Sequence, residues 1–204
     1  MASEWNGLSI LILAAGRARR MRGEDKLLQM AQGQPVLRHL TQQALRIGLP
    51  VLVALPRNGA DARRAALDGL QVRMVEVAEP EIGMSESLSA GIRALPADCT
   101  GVMLLLADMP GITANDMTAV VRAYIDAGSA LVVRGATAQG AAGHPVIFPA
   151  RLFPQLIKLT GDQGARDILN TEDVKLVILP TDHAVLDLDT PEDWADWHAS
   201  QPEI

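Results

Sequence analysis

Short apolar runs alternate with amphipathic segments through most of the 204 residues. Runs rich in Leu, Val and Ile are typical of buried strands, whereas apolar residues three and four positions apart indicate one face of a helix. The predicted strands lie at about 8–14, 50–55, 72–77, 101–107, 130–134, 144–148, 174–179 and 184–188. The predicted helices lie at about 36–47, 58–69, 84–95, 113–127, 150–158, 163–170 and 191–199.

Capping residues support several of these boundaries. Pro35 stands at the predicted start of the first helix and Gly48 at its end, in agreement with the preferences of proline and glycine for those positions. Thr113 is a good N-cap for the fourth helix, and Gly128 is suited to its end. Thr190, followed by a proline and two acidic residues, predicts the start of the last helix.

Strands that alternate with helices predict an α/β protein with a mostly parallel, doubly wound sheet. The run at 101–107 is apolar almost throughout, as expected of a central strand covered on both faces. The length suits a single domain over residues 1–204, with its core at about 8–199. In such sheets ligands bind at the carboxyl ends of the strands. The loops that begin at Ala14, Ala107 and Leu188 are therefore the places to search for chemistry.

The bulk composition excludes several classes of function. A net charge of −6 argues against a general nucleic-acid binder, and an aromatic content of 3% argues against stacking platforms for single strands. Cys99 is the one cysteine in the sequence, so disulfides and cysteine metal clusters are not expected. The N-terminus lacks the pattern of a secretory signal, and no stretch is apolar enough to span a membrane, so we expect a cytoplasmic protein.

The first apolar run ends in small residues followed by many cations. Ala14, Ala15 and Gly16 form the small-residue turn. The cations that follow are Arg17, Arg19, Arg20, Arg22 and Lys26. Small residues let the backbone approach phosphate oxygens, and cations neutralise them, so the loop is a candidate phosphate site. An ordinary charged surface loop is the alternative. The loop has neither the Walker lysine nor the glycine pattern of dinucleotide sites.

Aspartates follow two of the later strands. Asp108 comes directly after the central strand, and Asp187 and Asp189 lie on the same side of an extended segment. Carboxylates at this edge of a sheet are suited to Mg²⁺, which prefers oxygen ligands and substrate phosphates. The alternatives are a turn at Asp108 and helix capping at Asp189.

Three further segments carry polar residues near predicted helix or strand ends. Ser85 and Ser87 lie at the start of a helix, where free N–H groups suit phosphate, ribose or base edges, although simple capping explains them equally well. His144 and Arg166 are candidate contacts for a second ligand, with structural or solvated roles as alternatives. No nucleophile elbow and no zinc-type histidine spacing is present in the sequence.

In order along the chain, these motifs resemble those of a known family. The set LAAG-x₃-RM…K, GMSESL, ADMP, GHPV, GDQGAR and DLDTPED resembles the molybdopterin-type, or MobA-like, nucleotidyltransferases. The resemblance covers about Leu8 to Trp194, and is greatest to molybdenum cofactor cytidylyltransferases. It implies a three-layer α/β/α, Rossmann-like fold of the nucleotide-diphospho-sugar transferase type. It also implies transfer of a nucleoside monophosphate from a nucleoside triphosphate.

The resemblance also implies roles for individual residues. Catalytic roles fall on Arg20, Lys26 and Asp108, and Mg²⁺ would be held by Asp108 with Asp189 or Asp187. Predicted nucleotide contacts are Leu13, Ala14, Ala15, Gly16, Arg17, Arg20, Lys26, Ser85 and Ser87. His144 and Arg166 are the predicted acceptor contacts.

The chain departs from the family pattern in the cationic loop. Ala18 stands where serine is common, which removes one hydroxyl contact to phosphate. Arg22 precedes Gly23, so Lys26 lies one place later than in the shortest version of the motif. Guanylyl-transferring relatives tend to have glycine where this chain has Ala15. The added methyl narrows the base site and favours the pyrimidine nucleotide CTP, although one methyl distinguishes ligands by only about 1–3 kcal/mol.

The expected reaction joins the nucleotide to a phosphate of molybdopterin and releases pyrophosphate. A molybdoenzyme or chaperone is a possible partner for the product, with no nucleic-acid or membrane partner expected. The alternatives are guanylyl transfer to the same cofactor and nucleotidyl transfer to a sugar or alditol phosphate. The alternatives from other classes of protein are a dinucleotide-dependent oxidoreductase and a non-catalytic pterin-binding module.

Overall fold

The computed structural model describes residues 5–16, 19–161 and 165–200, with the side chain of Arg19 outside the description. The strands are β1 Leu8–Leu13, β2 Met30–Ala31, β3 Gln34–Pro35, β4 Val51–Pro56, β5 Arg73–Val77, β6 Gly101–Leu106, β7 Val132–Ala136, β8 Ala142–Pro149 and β9 Val174–Ile178. The helices are α1 Val36–Arg46, α2 Asp61–Ala66, α3 Met84–Arg93, α4 Ala114–Asp126, α5 Phe153–Ile157, α6 Arg166–Thr171 and α7 Pro191–Ser200. Short 3₁₀ turns lie at Arg19–Met21, Lys26–Leu28, Pro80–Ile82 and Ala150–Leu152.

Seven strands form one sheet in the order β5-β4-β1-β6-β8-β7-β9. Strands β5, β4, β1 and β6 are parallel neighbours, and β7 is parallel to β9. Strand β8 runs antiparallel to both β6 and β7. The sheet is therefore mostly parallel, and β6 is its central strand, as the apolar run predicted.

Helices cover both faces of the sheet because successive strand residues point to opposite sides. Ile10 and Ile12 pack in a cluster with α1 and α4, whereas Leu11 packs on the other face with α3, α5 and α6. Helix α3 approaches β1 closely, and a Cβ built at Gly91 would overlap the side chain of Leu11. These two apolar layers confirm the three-layer α/β/α fold.

The last helix packs outside this sandwich. Trp194 and Trp197 of α7 join a small apolar cluster with Met21, the β2–β3 hairpin and Leu188. Thr190 caps α7, since its hydroxyl accepts from Asp193 N at 3.1 Å. The carboxylate of Asp193 accepts from Thr190 N at 2.8 Å. This packing brings the aspartate-rich segment before α7 next to the cationic loop.

One predicted strand is wrong. Residues 184–188 form turns and extended chain without ladder partners, because the segment lies across the start of β8 instead of in the sheet. The hairpin β2–β3 was missed, since two strands of two residues leave no apolar pattern. Strand β6 and helix α4 agree with the predicted elements. Thr113 caps α4, and Thr113 and Asp116 form a reciprocal capping box. Within the described part of the chain, no helix combines the length and apolar character needed to cross a bilayer.

Candidate active site

The carboxyl ends of β1 and β6 meet at one edge of the sheet. Beyond β1 the pairing continues for one residue, with Ala14 N donating to Ala54 O at 2.9 Å. Ala14 and Ala15 are buried, and the chain then turns outward at Gly16, which is exposed. Asp108 follows β6, and its carbonyl oxygen accepts from Leu188 N at 3.2 Å. This last bond fixes the segment that carries Asp187 and Asp189 beside Asp108.

Four charged side chains converge at this edge. The ammonium of Lys26 donates to Asp108 Oδ2 and to Asp189 Oδ1, the latter at 2.6 Å. Arg20 Nη2 lies 2.5 Å from the other oxygen of Asp189. The side chains of Lys26, Asp108 and Asp189 are only 16%, 11% and 18% exposed. Because little water screens these three charges, Lys26 is tightly coupled to the two carboxylates, whereas Arg20 joins the cluster from the solvent side with 69% of its side chain exposed.

Charge and burial at the cluster shift the pKa of Lys26, which belongs to it, and of Asp187, which lies near it. Burial lowers the pKa of Lys26, but the neighbouring carboxylates of Asp108 and Asp189 outweigh it and raise the pKa above its usual value. Lys26 is therefore cationic at neutral pH. Burial, together with repulsion from Asp189 and Asp108, raises the pKa of Asp187.

A cleft of about 390 Å³ opens beside the cluster. Lys26, Arg20 and Asp108 line one side, with Gly16 at the turn and Ser87 from α3. A cavity of about 340 Å³ adjoins it at Gly16 and reaches Ala15 and Asn58. The cleft thus extends from the charged cluster towards the small-residue turn after β1.

A second cavity of about 610 Å³ adjoins the cleft on the side of β8. Its wall combines apolar side chains from β6, β8 and α3 with a polar lining of Arg134, His144, Arg166, Asp167 and Asn170. His144 Nδ1 lies 3.5 Å from the carbonyl oxygen of Leu104, and Arg134 Nε donates to Gly143 O at 3.0 Å. Burial lowers the pKa of His144 to about 4, so the imidazole is neutral at pH 7.

Some of the predicted site residues lie at the cleft or in the charged cluster, and others do not. Arg17 lies outside the described residues. Ser87 lines the cleft, whereas Ser85 is fully buried and its hydroxyl has no hydrogen-bond partner. Asp187 lines a separate groove between α1 and α7, while Asp189 belongs to the charged cluster. The capping alternative for Asp189 falls to Thr190 and Asp193, which leaves the Asp189 carboxylate for the cluster.

The donor set fits a hard divalent cation. Asp108 and Asp189 place carboxylate oxygens around one ammonium, and Mg²⁺ prefers such oxygens. Across residues 5–16, 19–161 and 165–200, no three acidic, histidine or cysteine side chains are grouped closely enough to hold a metal. Two carboxylates suit an ion that keeps several waters and takes further ligands from substrate phosphates.

Two arginines near the site, Arg63, which is buried, and Arg134, which is half-buried, were missed by sequence reasoning. Arg134 lies in β7 and reaches the second cavity. Arg63 lies on the buried face of α2 and bonds to Asp25 and to the carbonyl of Ala14. The sequence carried one sign that Arg63 is buried. Arg63 lies three residues after Ala60 and four before Leu67, so it shares a helix face with two buried apolar residues.

Comparison with known proteins identifies the family. The model of the MobA-like NTP transferase domain matches residues 10–177, which include the turn after β1, Lys26, and Asp108. The chain belongs to this family. Its ordered motifs predicted this membership.

Individual relatives span different parts of the chain. The molybdenum cofactor guanylyltransferase of Pseudomonas putida is 29% identical over 190 residues, covering 90% of this chain and 94% of its own. The bifunctional protein GlmU of Alkalilimnicola ehrlichii is 34% identical over 126 residues, and the match covers 61% of this chain. That match spans only 27% of the GlmU length.

A solved structure with the same fold is Rv0371c from Mycobacterium tuberculosis. It has a TM-score of 0.80 and 27% sequence identity, and the match covers 95% of this chain and 98% of that one. A further structure of Rv0371c is a complex with manganese, with a TM-score of 0.77 and 25% identity, covering 96% of this chain and 100% of that one.

Proposed function

We propose that this protein is a nucleotidyltransferase that transfers CMP from CTP to a phosphate group of a molybdopterin-type acceptor and releases pyrophosphate. The observation that carries the proposal is the convergence of Arg20 and Lys26 with Asp108 and Asp189 at one edge of the sheet. Cations beside a two-carboxylate site can bind a triphosphate and its metal ion together, which a binding module for an uncharged ligand does not need.

The connected cavities have room for the two substrates. We place the triphosphate in the cleft along Gly16, Arg20 and Lys26, with the base in the adjoining cavity beside Ala15. The acceptor occupies the cavity of about 610 Å³. Its apolar walls suit a flat ring system, and Arg134 and Arg166 supply positive charge for an anionic substituent.

The reaction is a displacement at the α-phosphorus. An oxygen of the acceptor phosphate forms the new P–O bond, and the bond to the β-phosphate oxygen breaks, so that pyrophosphate leaves. An acceptor phosphate is ionised at neutral pH, and no strong general base is required. Arg20 and Lys26 neutralise the phosphate oxygens and align the reacting groups, which lowers the barrier by positioning and by charge stabilisation.

Asp108 and Asp189 are the residues that would hold Mg²⁺. The ion, when bound, would withdraw charge from the phosphate oxygens. Before the metal binds, these two carboxylates raise the pKa of Lys26 and keep its ammonium charged throughout the neutral range. The manganese complex of Rv0371c supports a divalent ion in this fold, and we favour magnesium for this chain.

The choice of CTP rests on Ala15. This residue is buried and contributes to the wall of the cavity that we assign to the base, and we expect it to leave less room there than glycine would. GTP is the second candidate, because the relative from Pseudomonas putida is named a guanylyltransferase. A cytoplasmic location and delivery of the product to a molybdoenzyme or chaperone are part of the same proposal.

Release of pyrophosphate tests the assignment. The purified protein is given Mg²⁺ with CTP or GTP, and with molybdopterin or a panel of sugar and alditol phosphates. We expect turnover with CTP and molybdopterin to exceed that of the other combinations. Faster turnover with GTP would assign guanylyl transfer, and turnover only with a sugar or alditol phosphate would overturn the acceptor.

Variants of the charged cluster test the site. Lys26→Ala and Asp108→Ala should each reduce kcat by about 10²–10³-fold, the loss typical for removal of a charge-stabilising group. Arg151→Ala is the control, since Arg151 pairs with Glu172 away from the cleft and its removal should leave turnover unchanged. Near-normal pyrophosphate release by either cluster variant, with native circular dichroism, would refute the assignment.

A further inference from the structure

Arg63 is a buried cation outside the charged cluster. It lies in the short helix α2 and is only 7% exposed. An arginine is costly to bury unless its donors are satisfied. The groups that accept hydrogen bonds from Arg63 therefore indicate the role of this buried side chain.

The guanidinium of Arg63 joins two segments of the active site. Nε and Nη2 donate to the two carboxylate oxygens of Asp25 at 2.7 and 3.0 Å. Nη1 donates to the carbonyl oxygen of Ala14 at 2.6 Å. The Arg63 side chain thus forms hydrogen bonds both with Asp25, the residue before Lys26, and with Ala14, at the turn that follows β1.

Asp25 transmits this constraint to Lys26. Its Oδ1 also accepts from Leu27 N at 3.0 Å and so caps the 3₁₀ turn Lys26–Leu28. The orientation of that turn determines where the Lys26 ammonium lies. A change in the Asp25 carboxylate therefore moves the base of the Lys26 side chain.

We propose that Arg63 is a positioning residue of the transfer reaction. It fixes the position of Lys26 relative to the turn at Ala14, so that both can contact the triphosphate. This inference rests on the proposed contact of Lys26 with the triphosphate. The planar guanidinium makes a two-point contact with Asp25 and a third bond to Ala14, whereas an ammonium is a compact point charge. Lysine at position 63 therefore keeps the charge and loses the geometry.

The experiment measures binding of inorganic triphosphate with Mg²⁺ by calorimetry, which is independent of the base and the acceptor. The variants are Arg63→Lys, Lys26→Ala and the double variant. Arg64→Lys is the matched control, because the neighbouring Arg64 lies on the same helix and bonds to the carbonyls of Pro56 and Arg57. Thermal unfolding is recorded for each variant.

We expect Arg63→Lys to raise Kd about tenfold or more, while Arg64→Lys leaves Kd unchanged. In the Lys26→Ala background the same substitution should raise Kd by less than about threefold, because residues that act through one another are not additive. A residue that only stabilised the fold would weaken binding by the same factor in both backgrounds.

The outcomes separate the two hypotheses. If Lys26→Ala leaves Kd unchanged, the proposed role of Lys26 is wrong, and the inference about Arg63 fails with it. If Lys26→Ala weakens binding but Arg63→Lys has no effect, or an equal effect in both backgrounds, only the inference is overturned. If Arg63→Lys does not fold, Asp25→Asn takes its place, since it weakens the charged pair while keeping an oxygen to cap Leu27, and the same non-additivity with Lys26→Ala is expected.

Discussion

At the scale of the residue, burial changes what a charge can do. Lys26 is one of several cations in a loop, of which Arg20 and Arg22 are largely exposed. The structure removes most of the water around Lys26 and places two carboxylates against it. Its charge is thereby fixed in position, which is the property that charge stabilisation of a transition state requires.

His144 predicts a pH dependence of stability. Its pKa is lowered from 6.5 to about 4 by burial, so between these values the unfolded chain binds more protons than the folded one. Stability should therefore be fully present above about pH 6.5 and fall as the pH is lowered towards 4. We expect the loss due to this residue to be on the order of 1–2 kcal/mol, because the ring borders an open cavity.

Urea unfolding of the wild type and of His144→Gln between pH 4 and 7 measures this loss. The variant should lose less stability on acidification than the wild type, since glutamine does not titrate. Its backbone N–H can still donate to Ala184 O. Parallel stability curves for the two proteins would contradict the prediction.

At the scale of the element, the site depends on how closely segments approach at strand ends. Gly143 is the second residue of β8, and His144 N donates to Ala184 O at 2.7 Å. A Cβ at Gly143 would overlap that carbonyl group. The segment 181–190 can therefore lie against β8 only because this position has no side chain, and that segment delivers Asp189 to the cluster.

Alanine substitutions at Gly143 and Gly16 should differ in their effects on stability and on nucleotide binding. Gly143→Ala should destabilise the fold by about 1–3 kcal/mol, the usual cost of overpacking, because backbone must move. Gly16→Ala should leave stability almost unchanged, since none of the described residues lies within 4 Å of a Cβ built there. Its methyl group would instead enter the cleft and weaken nucleotide binding.

Thermal unfolding and nucleotide titration of the two variants test this contrast. The expected pattern is a lower Tm for Gly143→Ala, and a native Tm with raised Kd for CTP in Gly16→Ala. Normal nucleotide binding by Gly16→Ala would show that the phosphates do not pass close to the turn.

At the scale of the whole molecule, ligand binding and folding are linked. The cleft is lined by residues that follow β1 and β6 and by the segment that leads into α3, and the segment before α7 contributes Asp189 to the charged cluster beside it. An occupied site therefore requires all of these segments in their native places. A ligand that binds only the folded chain stabilises it by RT ln(1 + [L]/Kd), which is about 2.7 kcal/mol at 100 times Kd.

This linkage predicts a nucleotide-specific rise in Tm. For a chain of this size, CTP with Mg²⁺ at about 100 times Kd should raise Tm by about 5–10 °C. GTP, ATP and UTP at the same concentration should give smaller rises, and Lys26→Ala should reduce the response to all four. An equal rise with every nucleotide would show that the site does not select the base.

The sequence by itself determined the layered α/β fold, because the periods of its apolar residues are local properties of strands and helices. It also made Asp108 and Asp189 candidates, since both follow predicted strands at the edge where ligands bind, and the family resemblance added Lys26. Only the tertiary structure showed that Asp189 and not Asp187 contacts Lys26, that Ser85 is buried, and that Arg63 is bonded to Asp25. Those outcomes depend on contacts between residues far apart in the chain, and no local pattern records which side chains meet across a sheet edge.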